Sequence, residues 1–174
     1  MHIVPKLIRS VQFLLLLVLT STSTFLCAQA VTIKVVNGRN GRPMADSHVN
    51  VWVGNKQKKA MAIPTDKDGI ARLRLTNNDD EVDPHIQWQN EGSYVVVDPI
   101  LKYDDSLRIN VGYALCQPGG SNYSWLAFRQ ISTNQLMAQG IVMPNTCGKA
   151  TASPNPGVIV IFVRPLSFWE MMKQ

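Results

Sequence analysis

The sequence predicts an all-β chain folded as a two-sheet antiparallel Greek-key sandwich of seven or eight strands. No stretch after residue 30 keeps helical periodicity for three turns, whereas short runs that alternate apolar and polar residues recur. Segments rich in glycine, proline and asparagine separate these runs and are typical of turns. The chain has 174 residues, of which 45% are hydrophobic and 17% charged. These values favour one domain, and they exclude intrinsic disorder and a multi-span membrane protein.

The predicted strands are identified by the faces that they present. In residues 48–53 three valines share one face, and in residues 70–75 apolar residues alternate with Arg72 and Arg74. Residues 158–163 are apolar on both faces, which is typical of a central strand. The other predicted strands are residues 31–36, 94–97 (a buried run), 107–116, 125–131 and 135–142, with residues 132–134 as a hairpin turn between the last two. Residues 166–172 favour a short C-terminal helical turn.

The first thirty residues have the pattern of a signal peptide. Lys6 and Arg9 precede an apolar run that is too short to span a membrane, and small residues follow it. We expect cleavage after Ala30, with cleavage after Ala28 as the second choice. The mature chain would then be one domain, residues 31–174, without a membrane span and either secreted or periplasmic.

Removing the signal peptide lowers the formal net charge from +5 to +3, because Lys6 and Arg9 leave with it. So small a charge does not indicate a nucleic-acid partner. We expect neither a cofactor nor a metal ion, since the sequence contains no CxxC pair and the Asp66–Asp68 turn lacks the glutamate that closes a calcium loop.

Two cysteines, Cys116 and Cys147, remain in the mature chain. In an exported protein they are expected to form one disulfide bond, whereas two buried free thiols are the alternative. The bond would close a loop of about 32 residues, worth roughly 3.7 kcal/mol in the chain-entropy model.

Residues 31–75 contain an ordered series of motifs. A strand at 31–36 is followed by Gly41-Arg42-Pro43, a second strand with Val49-Asn50-Val51, and the turn Thr65-Asp66-Lys67-Asp68-Gly69 before a third strand. This series resembles the carboxypeptidase regulatory-like, or transthyretin-like (prealbumin-like), β-sandwich modules of secreted bacterial proteins. The resemblance implies a transthyretin-like or immunoglobulin-like sandwich, and it ends at Leu75.

The enzymes of the transthyretin-like group are hydroxyisourate hydrolases, which carry a C-terminal Tyr-Arg-Gly-Ser motif. The last four residues here are Met171-Met172-Lys173-Gln174, and His48 does not lie in the N-terminal histidine motif of that family. We therefore predict no catalytic residues. The alternative is a small secreted hydrolase that uses His48 or His85.

Four residues form the predicted binding surface. His48, Asn50 and Trp52 share the polar face of one strand, and Trp88 is a loop aromatic flanked by amides, a setting in which a ring can stack on a sugar. A half-exposed strand face and a tryptophan packed onto the sandwich are the structural alternatives. We predict an exported, non-catalytic accessory or interaction module of the cell envelope whose partner is a protein or a glycan.

Overall fold

Eleven strands in two sheets make up just under half of the residues that the computed structural model describes, which are residues 29–54, 60–83, 94–117 and 129–166 with Phe168 and Met172. The first sheet contains β1 (Gln29–Asn37), β4 (Ile70–Thr76), β6 (Ile100–Lys102), β8 (Ala114–Leu115), β10 (Ile141–Val142) and β11 (Val158–Arg164). The second contains β2 (His48–Val53), β3 (Met61–Pro64), β5 (Tyr94–Val95), β7 (Ser106–Val111) and β9 (Arg129–Ser132). Three of these strands have only two residues, and the sequence predicts seven or eight strands in all. The expected all-β, two-sheet architecture is confirmed.

The sheets are mixed, so the prediction of antiparallel sheets is wrong in this respect. The first sheet has the order β10-β11-β1-β4-β6, and β8 also pairs with β11. The second has the order β5-β3-β2-β7-β9. The pairs β1–β11, β10–β11, β4–β6 and β3–β5 are parallel. Alternation along a strand fixes which residues face the core, but it carries no information about the direction of a distant partner.

The main core lies between the two sheets and is built from the apolar faces of the longer strands. In β4, buried residues alternate with the exposed Arg72 and Arg74, as predicted. β11 is buried along most of its length, and it lies between β1 and β10 as a central strand should. The fully buried side chains with the largest volumes are Ile33, Met61, Ile63, Leu73, Leu75, Leu107, Leu136, Ile159 and Ile161.

The long strand predicted for residues 107–116 is divided between the two sheets. β7 ends at Val111, and the Tyr113 N–H donates a hydrogen bond of 2.7 Å to the Val111 carbonyl. The chain then crosses to the first sheet, where β8 pairs with β11. The bend lies at Gly112 and Tyr113, between β7 and β8, and unbroken alternation in the sequence conceals it. The crossing brings Cys116 beside Phe162, to whose carbonyl the Cys116 N–H donates at 2.9 Å.

The hairpin turn predicted at residues 132–134 is wrong, because those residues begin an α-helix, α1 (Thr133–Gln139). The Ser132 hydroxyl accepts a hydrogen bond from the Gln135 N–H and so caps the first turn. Gly140, with φ of 75°, ends the helix. The residue types that favour turns are also those that cap helices, and seven residues are too few to reveal helical periodicity. α1 buries Leu136 in the main core.

Two further expectations concern residues 94–97 and the C-terminal segment. The run at residues 94–97 is not buried, because Val95 is 73% and Val97 71% exposed. In the C-terminal segment the Met172 N–H donates to the Phe168 carbonyl at 3.1 Å, and the expected helical turn also includes residues 167 and 169–171, which lie outside the described residues.

The expected signal peptide falls on residues 1–28, which also lie outside the described residues, and on the first two residues of β1. Gln29 pairs with Leu75 and Ala30 with Arg74. Cleavage after Ala28, the second choice, would leave β1 whole, whereas cleavage after Ala30 would remove these two pairs.

Candidate functional site

The candidate site is the outer face of the second sheet, the side turned away from the core. In β2 the side chains of Val49 and Val51 are fully buried against the first sheet. Because successive residues of a strand point to opposite sides, His48, Asn50 and Trp52 lie on the outer face. His48 is exposed, and the other two are half-buried. Three of the four predicted surface residues are therefore brought together, while Trp88 lies outside the described residues.

The neighbouring strand β7 supplies two residues to the same face. In the antiparallel register Asn110 lies opposite Asn50, and Arg108 lies opposite Trp52. The guanidinium carbon of Arg108 lies 5.8 Å from the centre of the Trp52 ring, a cation–π contact. Such contacts contribute about 0.5–1 kcal/mol at exposed sites and more where water is excluded. The contact holds the tryptophan and the arginine in one arrangement at the centre of the sheet.

On its other side, β2 is flanked by small side chains. Ala62 lies opposite Asn50 and Pro64 lies opposite His48 across the pairing with β3. Ala62 is 7% exposed and Asn110 is 5% exposed, although both lie on the outer face. Beyond Ala62, its register partner Val95 is largely exposed. The centre of the face is thus more protected from water than its margin, and polar contacts are stronger in such a setting than in open solvent.

The described neighbour of His48 on β3 is not a polar group. A catalytic histidine needs a second polar group within hydrogen-bonding reach to orient it. Pro64, which lies directly opposite His48 on β3, has no proton-donating or accepting side chain. Within the described ranges no group of three or more His, Cys, Asp or Glu residues is placed to hold a metal ion. His85, the other histidine considered for a hydrolase, lies outside those ranges.

The predicted disulfide bond between Cys116 and Cys147 is confirmed, with a Cα–Cα distance of 5.2 Å. Cys116 is buried on the outer side of the first sheet, where it forms a second small apolar cluster with Val160 and Phe162. Cys147 packs against that cluster from the loop between β10 and β11. The bond therefore fastens this loop over the first sheet, on the opposite side of the molecule from the candidate site.

The Thr-Asp-x-x-Gly motif of residues 65–69 has a structural role. The Thr65 hydroxyl donates to the Met44 carbonyl and accepts from the Ser47 N–H, each at 3.0 Å. The Asp66 carboxylate accepts hydrogen bonds from the Asp68 and Ile70 N–H groups and from the Arg72 guanidinium. The bond from Arg72 is the largest cause that lowers the pKa of Asp66 below 3.8, its ordinary value. These contacts fix the turn that leads into β4.

Sequence reasoning missed Arg108 and Asn110 as members of the site. The alternating pattern places both on the polar face of their strand, yet nothing in a single sequence shows that β7 pairs with β2. Asn145 was also missed, although its side-chain nitrogen donates to the carbonyls of Gly38 and Ala150 at 2.8 Å each. A lone asparagine between a proline and a threonine has no signal that separates this role from that of an ordinary turn residue.

Comparisons of the chain with protein-family models, with curated proteins and with solved structures find no match. Among the described residues, no helix has the length and apolar character needed to cross a membrane.

Proposed function

We propose that the chain is an exported, non-catalytic β-sandwich module of the cell envelope that binds a protein or a glycan through the outer face of the second sheet. The observation that carries the proposal is the register between β2 and β7, which aligns Trp52 with Arg108 and Asn50 with Asn110. An aromatic ring, a guanidinium and two amides are thereby arranged on adjacent central strands. Tryptophan and arginine are the residue types that most often dominate binding energy at interfaces.

Two independent features support export. Residues 1–30 have the composition of a signal peptide, and the Cys116–Cys147 bond is typical of compartments that do not reduce disulfides. The resemblance over residues 31–75 supports a Greek-key sandwich of the transthyretin-like type. The contacts of Thr65 and Asp66 add to that support, because they explain why this turn motif needs a threonine and an aspartate at these positions.

The test compares what the mature chain and its variants capture from an extract of the organism that makes it. Quantitative mass spectrometry and glycan analysis would be applied to the species bound by the wild-type chain, by Trp52→Ala and by Phe168→Ala. Phe168 is the control, because it is an exposed aromatic residue that follows β11 of the first sheet and is not part of the second. We expect Trp52→Ala to lose a defined species that Phe168→Ala retains. Loss of a central aromatic residue weakens binding by about 2 kcal/mol or more.

The same experiment separates binding from structural damage and from catalysis. The thermal midpoints of the two variants show whether either change has merely unfolded the chain. If Trp52→Ala remains folded and captures the same species as the wild type, the proposal is wrong. Release of a chemically altered species that depends on His48 would support the hydrolase alternative.

A further inference from the structure

Two loops meet at the end of the molecule where β1 and β11 finish. Residues 38–42 follow β1, and residues 145–150 lie between β10 and β11. Asn145 joins them, because its side-chain nitrogen donates to the Gly38 carbonyl of one loop and to the Ala150 carbonyl of the other. We call residues 38–42 and 145–150 the loop pair.

The loop pair is closely packed and tied to the sheet beneath it. A Cβ atom added at Gly148 would lie 2.7 Å from both the Arg39 Cα and the Gly38 carbonyl oxygen, which is closer than real Cβ contacts. The Gly38 N–H donates to the Val163 carbonyl of β11 at 2.8 Å. The disulfide bond from Cys147 to Cys116 holds residues 145–150, the second loop of the pair. The backbone positions of the loop pair are thus set before any ligand arrives.

This fixed surface carries three cations, Arg39, Arg42 and Lys149, all of which are exposed. Residues 37–42 and 144–150 contain no aspartate or glutamate. The ion pairs between described residues join Arg72 to Asp66 and Lys102 to Asp79, and so leave the cations of the loop pair without a carboxylate within 4.0 Å among those residues. Within the described part of the chain, therefore, no ion pair neutralises the positive charge of the loop pair.

We propose that the loop pair binds an acidic glycan, a polysaccharide whose repeating unit carries a carboxylate. Arginine side chains match the two oxygens of a carboxylate, and a backbone that is already fixed loses less entropy on binding than a mobile loop does. The large exposed apolar residues of the described chain are Val95, Val97, Phe168 and Met172, and none lies in the loop pair. A folded protein partner would need such an apolar centre, whereas a charged polymer does not. This site is separate from the outer face of the second sheet.

Binding would be measured with polygalacturonate as the probe and neutral dextran as the blank, over a range of salt concentrations. The charge variant is Arg39→Gln/Arg42→Gln/Lys149→Gln. Its matched control, Lys34→Gln/Arg74→Gln/Arg129→Gln, removes the same charge from exposed positions outside the loop pair. We expect the charge variant to bind at least about fivefold more weakly at low salt, since several exposed ion contacts are lost together, and the control to change binding by less than about twofold.

A second pair of variants tests preorganisation with every charge retained. Gly148→Ala forces the two loops apart, whereas Gly112→Ala is the control because an added Cβ there meets nothing within 4 Å. We expect the first to weaken binding and the second to leave it unchanged, and Trp52→Ala to bind polygalacturonate like the wild type. Equal losses in the two charge triples, or equal affinity for polygalacturonate, polyglutamate and duplex DNA, would overturn the proposal. A glycan captured from the extract through Trp52 alone would overturn this site while leaving the proposed function intact.

Discussion

Removal of the disulfide bond is expected to cost a large part of the stability of the domain. The change is Cys116→Ala/Cys147→Ala, and the two residues are 31 apart in the sequence. Closing a loop of this size in the unfolded chain is worth about 3.7 kcal/mol in the chain-entropy model. Cys116 is also buried against Val160 and Phe162, so its truncation removes packing in addition. We therefore expect the free energy of unfolding to fall by about 3–5 kcal/mol.

Urea denaturation of the oxidised wild type and of the double variant measures this difference by linear extrapolation. Hydrogen exchange then shows which part of the structure loses stability. The Thr146 N–H, which donates to the Cys116 carbonyl, should lose protection before the Val35 N–H of β1, which donates to the Gly69 carbonyl just before β4. A fall of less than about 1 kcal/mol, or equal loss of protection at both amides, would refute the reasoning, because either result would mean that the bond neither restricts the unfolded chain nor fastens the loop.

Three further predictions concern single residues. Arg72→Gln should raise the pKa of Asp66 towards 3.8, because it removes the largest cause of the lowering, and a carbon-detected NMR titration would show this. In the wild type the lowered pKa stabilises the fold above about pH 3.8, and this contribution is lost as the pH falls through the folded value. An unchanged titration would contradict the assignment. Leu136→Ala should lower the free energy of unfolding by about 2–5 kcal/mol, because this side chain is fully buried. The neighbouring Met137 is only half-buried, so Met137→Ala should lower the free energy of unfolding by less in the same urea assay. Thr65→Val should cost about 1–3 kcal/mol by leaving the Ser47 N–H and the Met44 carbonyl without their partner, whereas Thr65→Ser should be milder, and equal costs would contradict the role of the hydroxyl.

The features that depend on short-range pattern were the ones that the sequence could predict. The alternation in residues 48–53 and 70–75 placed the core faces of β2 and β4 correctly, because a pleated strand turns every second side chain the same way. The continuous apolar run at 158–163 identified a central strand for a similar reason. The disulfide followed from the number of cysteines that remain after the predicted signal peptide.

The sequence could not predict the features that depend on distant partners or on residue types with more than one structural role. The sequence places Ser132 in a turn, whereas in the structure it caps α1, and a serine hydroxyl is suited to either role. Val95 and Val97 have high β-propensity, but Val95 lies in β5 at the edge of its sheet and Val97 lies beyond the end of that strand, so both are left in water. The pairing of Arg108 with Trp52 depends on which strands become neighbours. The sequence therefore predicted the residues that β2 contributes to the candidate site but not those of β7.

Site-specific photo-crosslinking tests the central claim, that the outer face of the second sheet is the binding surface, most directly. A benzoylphenylalanine would replace Asn50 at the centre of that face or, in a matched chain, Lys34 on the outer face of the first sheet, and each chain would be irradiated in the native extract. We predict a defined adduct from position 50 that disappears when Trp52→Ala is added, and none of that mass from position 34. An adduct of equal yield from both positions, or no adduct from position 50, would contradict the account.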